Sequence, residues 1–430
     1  SGLFLTGYAV VLLPVILYSG SVAIVGMFDI PELLNITETQ AIWTTVWGIG
    51  IIGSVYAIFG GLKAVAVSDS INAIGLLAGG LLIPLFGLMA IGGGNLIEGI
   101  TVLTESNPEK FDSLGDKTAS VPFTTIFTGL MLVQLFYWGT NQQIIQRALG
   151  AKNLAEGQKG LMLAAFIKIL GPLIVVLPGI IAYHLFEGKL ANADQAYPVL
   201  VREVLPDYFV GFFAAVLFGA ILSSFNSVLN SSVTLFGIDI YKQHINKTAD
   251  ESLVVKRGKT FGICLAIAAM FIAPFIANAG SLFSYLQEVN GIYSIPILTV
   301  FVIGYLTKRV PAIAGKIGII SGSVLYILSQ FVLKPILVNN ALDKAKASEI
   351  VDEAGLALVE AEAYPHFLHI CAILFLLNAS IMLLIGKIWP APQPYVQEYT
   401  KKVVIEPWKY VKPVGLIICM IVIGIYIYFA

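Results

Sequence analysis

Eleven stretches of this chain are apolar and almost uncharged for about the length that a bilayer demands. They read as 3–27, 41–62, 70–95, 122–146, 161–185, 209–237, 260–277, 281–306, 317–335, 366–387 and 413–430. A helix rising about 1.5 Å per residue needs roughly 20 such residues to cross some 30 Å of hydrocarbon. Repeated this often, the pattern predicts an all-α polytopic membrane protein. The composition agrees, at 57% hydrophobic and 12% charged residues with 41 glycines, far from soluble-domain usage. A net charge of −1 gives no reason to expect a nucleic-acid partner. Cys264, Cys371 and Cys419 lie inside apolar runs, which points to free thiols rather than a disulfide framework or a metal pattern. The chain opens at Ser1 and is apolar almost at once, with no signal-peptide pattern. A preceding segment is therefore expected.

Loop charge orients the spans. Assigning alternate loops to one side gathers 17 basic residues there, from Lys63 through Arg147, Lys308 and Arg309 to Lys412, against 7 on the other. The richer side is cytoplasmic by the positive-inside bias. The outer loops are acidic, and the run 342–363 mixes charges with apolar residues at helical spacing, which predicts a surface helix over the outer face.

Against this background, polar residues inside the spans stand out. The stretch from Gln134 to Arg147 ends an uncharged run yet is crowded with amides, aromatic rings and a glycine. On one helix, Gln134, Tyr137 and Asn141 would share a face, and Gly139 marks a point where the helix could break. A broken, aromatic-lined helix suits a solute site; a helix end in the headgroups would carry the same residues. Lys168 lies nine residues past Lys159, roughly 13 Å deeper along a helix. It either faces a cavity or a partner or snorkels back to the headgroups. Ala220, Ser223, Ser224, Ser227, Asn230 and Ser231 form a narrow small-and-polar stripe, fit for close helix packing or for a hard cation that wants oxygen ligands. Asp69 opens an apolar run, where it could cap a helix or handle an ion. Phe283 and Gln287 sit one turn apart, a ring and an amide that could close over a polar solute.

Together these residues carry a specific resemblance. Tyr137-Trp138-Gly139, Asn141-Gln142, Ile144 to Arg147, Ala164 to Lys168, Tyr56 with Gly60-Gly61-Leu62 and Asp69, Ser223-Ser224, Leu229-Asn230-Ser231, Asp239 to Lys242 and Tyr285 to Glu288 keep order and spacing along nearly the whole chain. The pattern resembles the sodium/solute symporter family, most of all its bacterial sodium/glucose-galactose branch. The resemblance implies a LeuT-type fold of two inverted five-helix repeats plus peripheral helices. On that reading 1–95 holds the third to fifth helices of the first repeat, whose opening two helices are absent, 122–306 the second repeat, and 307–430 peripheral helices. It implies sodium ligands at Ala220 (through its carbonyl), Ser223 and Ser224, and a sodium-release role for Asp69. Tyr137 becomes an inner gate that also stacks on the solute, Phe283 an outer gate, and Gln134, Lys168 and Gln287 solute ligands. Gln134 stands where the sugar branch has asparagine, and a further family asparagine is replaced near Leu12, which bears on the sugar rather than the ion.

The function expected is sodium-coupled import of a small polar solute, foremost a monosaccharide, by alternating access in the inner (plasma) membrane. Sodium is the coupling ion and no organic cofactor is implied. The partners are solute, sodium and the bilayer, and a monomer suffices. Inositol, a carboxylate, an amino acid or sialic acid remain alternative cargoes, and a solute sensor an alternative role. A Ser–Lys protease built from Ser223 or Ser224 with Lys168 is the enzymatic rival, but those serines sit among packing residues and no Gly-x-Ser-x-Gly or His-Glu-x-x-His occurs.

Overall fold

The computed structural model describes residues 1–187, 190, 193–279, 282–347, 352–396 and 404–430, leaving aside the side chains of 58–68, 278–279, 283–284, 347 and 353–354. The described residues are helical, with no β-strand among them. In chain order the helices used below are α1 (Gly2–Phe28), α2 (Glu38–Ile91), α3 (Leu96–Ser106), α4 (Met131–Gly139), α5 (Gln142–Leu149), α6 (Leu154–Lys168), α7 (Pro172–Phe186), α8 (Ala196–Val204), α9 (Asp207–Ile245), α10 (Glu251–Ala277), α11 (Leu282–Leu306), α12 (Ala312–Lys346), α13 (Glu353–Ala363), α14 (Phe367–Ile388) and α15 (Val411–Tyr428). Eight helical runs among the described residues are long and apolar enough to cross a membrane, and the α6–α7 pair, bent by 42°, makes a ninth.

Three of the eleven expected spans differ. The run 122–146 is no bilayer-long helix but a short apolar one, Phe123–Gly139. Spans 41–62 and 70–95 lie on a single helical run of 54 residues, α2. That run is not straight. Gly53 faces Phe225 of α9, whereas Asn72 faces Gly219. Those partners are six residues apart, about 9 Å of helix, while nineteen residues of straight helix would part Gly53 and Asn72 by about 28 Å. Both halves of α2 therefore lie along α9, as two crossings require. The expected outer helix over 342–363 is two pieces, with Leu342 continuing α12 and α13 following separately.

Packing groups the chain into two units, Ser1–Asp112 with Met162–Leu286 and Ser113–Leu161 with Gln287–Ala430. The first is organised on α9. Glycines on α2 let the backbones close: a Cβ at Gly75 would stand 2.7 Å from Val216, and one at Gly79 2.5 Å from Phe213. Small residues four apart are the usual means of bringing membrane helices together, because lipid supplies no hydrophobic drive between them. Met27, Ile83, Leu103, Ile181, Leu200 and Phe213 fill the core beside this seam. In the second unit Gly318 and Gly322 of α12 face Met382 and Asn378 of α14, and Ile295, Tyr326, Ile370 and Leu374 form a buried cluster. Two polar contacts tie this cluster together. The Tyr326 hydroxyl donates to the Glu288 carbonyl at 2.7 Å, and Lys334 meets the Glu288 carboxylate at 3.1 Å.

Filling the α2–α9 seam should cost about 1–3 kcal/mol, the usual range for overpacking. Gly79→Leu is expected to lower the thermal midpoint of the purified protein. Gly211→Leu, where a Cβ meets nothing within 4 Å, is expected to leave it unchanged.

Candidate sodium and solute sites

The first unit places Ala220, Ser223 and Ser224 on one half-buried face of α9. The α-helical part of α9 runs unbroken over Asp207–Thr234, so the Ala220 carbonyl keeps its helical bond and has one lone pair to spare. The hydroxyls along the helix divide into two kinds. Ser227 donates to the Ser223 carbonyl at 2.7 Å, Ser231 to Ser227 at 2.8 Å, Ser232 to Val228 at 2.9 Å and Thr234 to Asn230 at 2.9 Å. Such back-bonding to i−4 satisfies a hydroxyl within its own helix. Among the described residues, Ser223 and Ser224 make no such bond. Their hydroxyl oxygens are not committed to the backbone of their own helix. Neutral hydroxyl and carbonyl oxygens are what a hard monovalent cation takes.

Asp69 is half-buried in the interior of α2's helical run, so it is not the helix cap that its place before an apolar run had allowed. The pairs Gly79–Phe213, Gly75–Val216 and Asn72–Gly219 fix an antiparallel register between α2 and α9. Three residues before Asn72, that register brings Asp69 level with Leu222 and Ser223. Lys168 is the last residue of α6, at the 42° bend to α7, and is exposed. The bend has a covalent cause, since Pro172 has no N–H to give the Lys168 carbonyl. Ile169 and Leu170 instead donate to Phe166 and Ile167, three residues back, at 3.1 and 3.0 Å.

The second unit holds the broken helix. α4 ends at Gly139 and α5 starts at Gln142, so the break foreseen at Gly139 is present. Asn141 then does not share a helix face with Gln134 and Tyr137. It is the cap of α5, 2% exposed, its side-chain oxygen accepting from the Gln143 N–H at 3.0 Å. The Thr140 and Asn141 N–H groups both donate to the Phe136 carbonyl, at 2.9 and 3.1 Å. Gln134 and Tyr137 remain one turn apart. Gln134 is exposed and accepts from the Trp138 indole N–H at 3.2 Å, and the Tyr137 and Trp138 rings meet edge-on at 5.3 Å. Gln287 is half-buried on α11. The side chain of Phe283 lies outside the described residues.

The same helix is irregular at its start, which sequence reasoning missed. Ile126–Leu130 forms a π-helical turn with non-helical angles at Thr128, φ −123° and ψ −109°. His369 of α14 bonds Thr124 at 3.2 Å through Nε2 and Thr128 at 3.0 Å through Nδ1. Gly129 sits directly on the Leu368 backbone, leaving no room for a Cβ. The signal in the sequence was a threonine pair four residues apart in one span and a histidine within another.

Residues 7–322 match the family model for the sodium:solute symporter family. The chain belongs to the sodium:solute symporter family. It is 43% identical to an uncharacterized symporter, YidK, of Escherichia coli, over 98% of this chain and 69% of that protein. It is 34% identical to the sodium/glucose cotransporter of Vibrio parahaemolyticus, over 73% of this chain but only 60% of the cotransporter's length. Its structure is similar to that of a Na+-coupled sialic acid symporter in a substrate-bound outward-open state, with a TM-score of 0.55, 18% identity and coverage of 90% and 75% of the two chains. That likeness shows the fold, a LeuT-type helical architecture; the family and the apolar spans make the chain a multi-pass inner-membrane protein. The family is one of symporters, which lends no support to the Ser–Lys protease reading.

His369→Ala removes both bonds to the start of α4. Each is worth about 1 kcal/mol net, so solute uptake by the reconstituted protein is expected to fall by up to about thirtyfold, with His369→Gln, which offers one donor and one acceptor, recovering part of it. Gly129→Ala has no such rescue and is expected to abolish uptake.

Proposed function

We propose that the protein is a sodium-coupled symporter importing a small polar solute, foremost a monosaccharide, by alternating access. The single observation that carries the ion site is the pair of hydroxyls at Ser223 and Ser224. Their neighbours along α9 are tied to their own helix; these two are not. Ala220 adds a carbonyl oxygen, and Asp69, level with the pair, offers a carboxylate that an ion leaving them would meet. Gln134 and Tyr137 bind solute from α4, Tyr137 also acting as the inner gate. Gln287 on α11 and Lys168 at the α6–α7 bend are the remaining proposed solute ligands, and Phe283 is the proposed outer gate. No bond is made or broken, so no organic cofactor has a task, and one chain carries every residue invoked. Coupling is a difference in affinity: sodium favours the arrangement that keeps its ligands together, and that arrangement completes the solute site.

The 34% identity to a sodium/glucose cotransporter supports a sugar. A solute bearing a carboxylate is the second reading, favoured by the Lys168 ammonium at the bend. Uptake of labelled glucose and galactose into proteoliposomes, with and without an inward sodium gradient, separates them when inositol, sialic acid and proline compete alongside. Accumulation of a sugar above the outside concentration is the expected result. Accumulation of a competitor alone would move the cargo to the second reading, and accumulation of nothing would point to a sensor.

Losing one oxygen ligand should cost about 1–2 kcal/mol, so Ser224→Ala is expected to raise the sodium needed for half-maximal uptake about tenfold. Ser232→Ala, whose hydroxyl is bound to Val228, should leave sodium dependence as it was. Lys168→Ala is expected to raise the half-saturating solute concentration, and unchanged transport would return Lys168 to the headgroups.

A further inference from the structure

Where α11 ends, a groove of about 620 Å³ opens in the second unit. Its inner part is lined by Val300, Phe301 and Gly304, its outer part by Tyr305, Thr307, Lys308 and Tyr395. From Val300 to Lys308 is eight residues, about 12 Å along the helix direction, enough to pass from hydrocarbon to the headgroup layer. The basic loop residues Lys308 and Arg309 place this mouth on the cytoplasmic side.

The site is built, not incidental. The Tyr395 N–H donates to the Lys308 carbonyl and the Ala391 N–H to the Arg309 carbonyl, both at 2.8 Å, so the segment after α14 is pinned across the end of α11. The Thr307 hydroxyl caps back onto Ile303 at 2.6 Å. Along the floor, a Cβ at Gly304 would meet nothing within 4 Å, which leaves the space open. Tyr305 is 84% exposed and Tyr395 68%, phenols at the depth where aromatic side chains anchor membrane proteins. Among the described residues no carboxylate lines the groove, and neither Lys308 nor Arg309 makes an ion pair.

We propose that this groove holds one anionic phospholipid of the cytoplasmic leaflet. An acyl chain occupies the floor over Gly304 and Phe301. The headgroup phosphate meets Lys308, and the two phenols offer hydrogen bonds to the glycerol. The two halves of the groove select together. A soluble phosphate would leave the apolar floor empty, and a zwitterionic lipid would bring no net charge to match the cations.

The test is native mass spectrometry of the delipidated full chain titrated with POPG or POPC. One POPG is expected to bind about fivefold more tightly than POPC, the ratio that one basic residue near an anionic headgroup supplies. Lys308→Gln should remove that preference and Lys308→Arg retain it. Gly304→Leu should weaken POPG binding without changing charge. Equal affinity for the two lipids in the wild type would overturn the proposal, as would a Lys308→Gln protein that still prefers POPG. Loss with Lys308→Gln but none with Gly304→Leu would reduce the site to surface charge and overturn the seated lipid. Thermal midpoints matching the wild type show that each variant is folded.

Discussion

Hydrocarbon offers no partner to a peptide N–H or C=O, and every departure from helix in this protein is shaped by that fact. At Gly139 the helix stops inside an apolar stretch, and the released groups are taken up at once: Phe136 accepts two N–H bonds and Asn141 caps the next helix. At Lys168 the ladder is interrupted by Pro172, and bonds three residues back replace those four back. At Thr128 the turn widens, and a histidine from α14 bonds hydroxyls on either side of it. Each break is tolerated because the protein supplies what lipid cannot. Each also lies close to the residues invoked for solute.

The polar stripe of α9 shows how packing and function share one helix. Four of the six serine and threonine hydroxyls on that helix bond back to the helix itself. Two are left over, level with a carboxylate on the neighbouring helix. Close approach makes that alignment possible, because the glycines of α2 let Asn72 and Asp69 come against α9 without intervening side chains. A packing reading and an ion-binding reading of the same residues are therefore not rivals, since the first places the second.

Much of this was legible in the chain. Apolar runs gave the class, and motif spacing the family. The break at Gly139 was visible because amides and a glycine do not belong in a lipid-facing run. What the sequence hid depends on where a helix truly ends. Asn141 had the spacing to share a face with Gln134 and Tyr137, and only the turn at Thr140 puts it on another helix. Asp69 looked like a start because a loop was expected before it, yet the helix continues through. The span 122–146 had the right length but not a continuous ladder. His369 could not be found by periodicity, since its partners are 241 and 245 residues away, and no local pattern encodes a contact at that range.

The neutrality of the α9 oxygens has an electrical consequence. In the proposed site Ala220, Ser223 and Ser224 bring no charge of their own, so a sodium ion held among them would give the loaded carrier one positive charge more than the empty one. Moving one elementary charge through a potential of 100 mV is worth about 2.3 kcal/mol, comparable with a good part of a coupling free energy. An inside-negative membrane would then pull the loaded form inward and leave the empty return nearly indifferent to voltage. With a charged ligand in the trio the bias would fall instead on the empty carrier, so this choice of oxygens decides which half of the cycle the cell's battery drives.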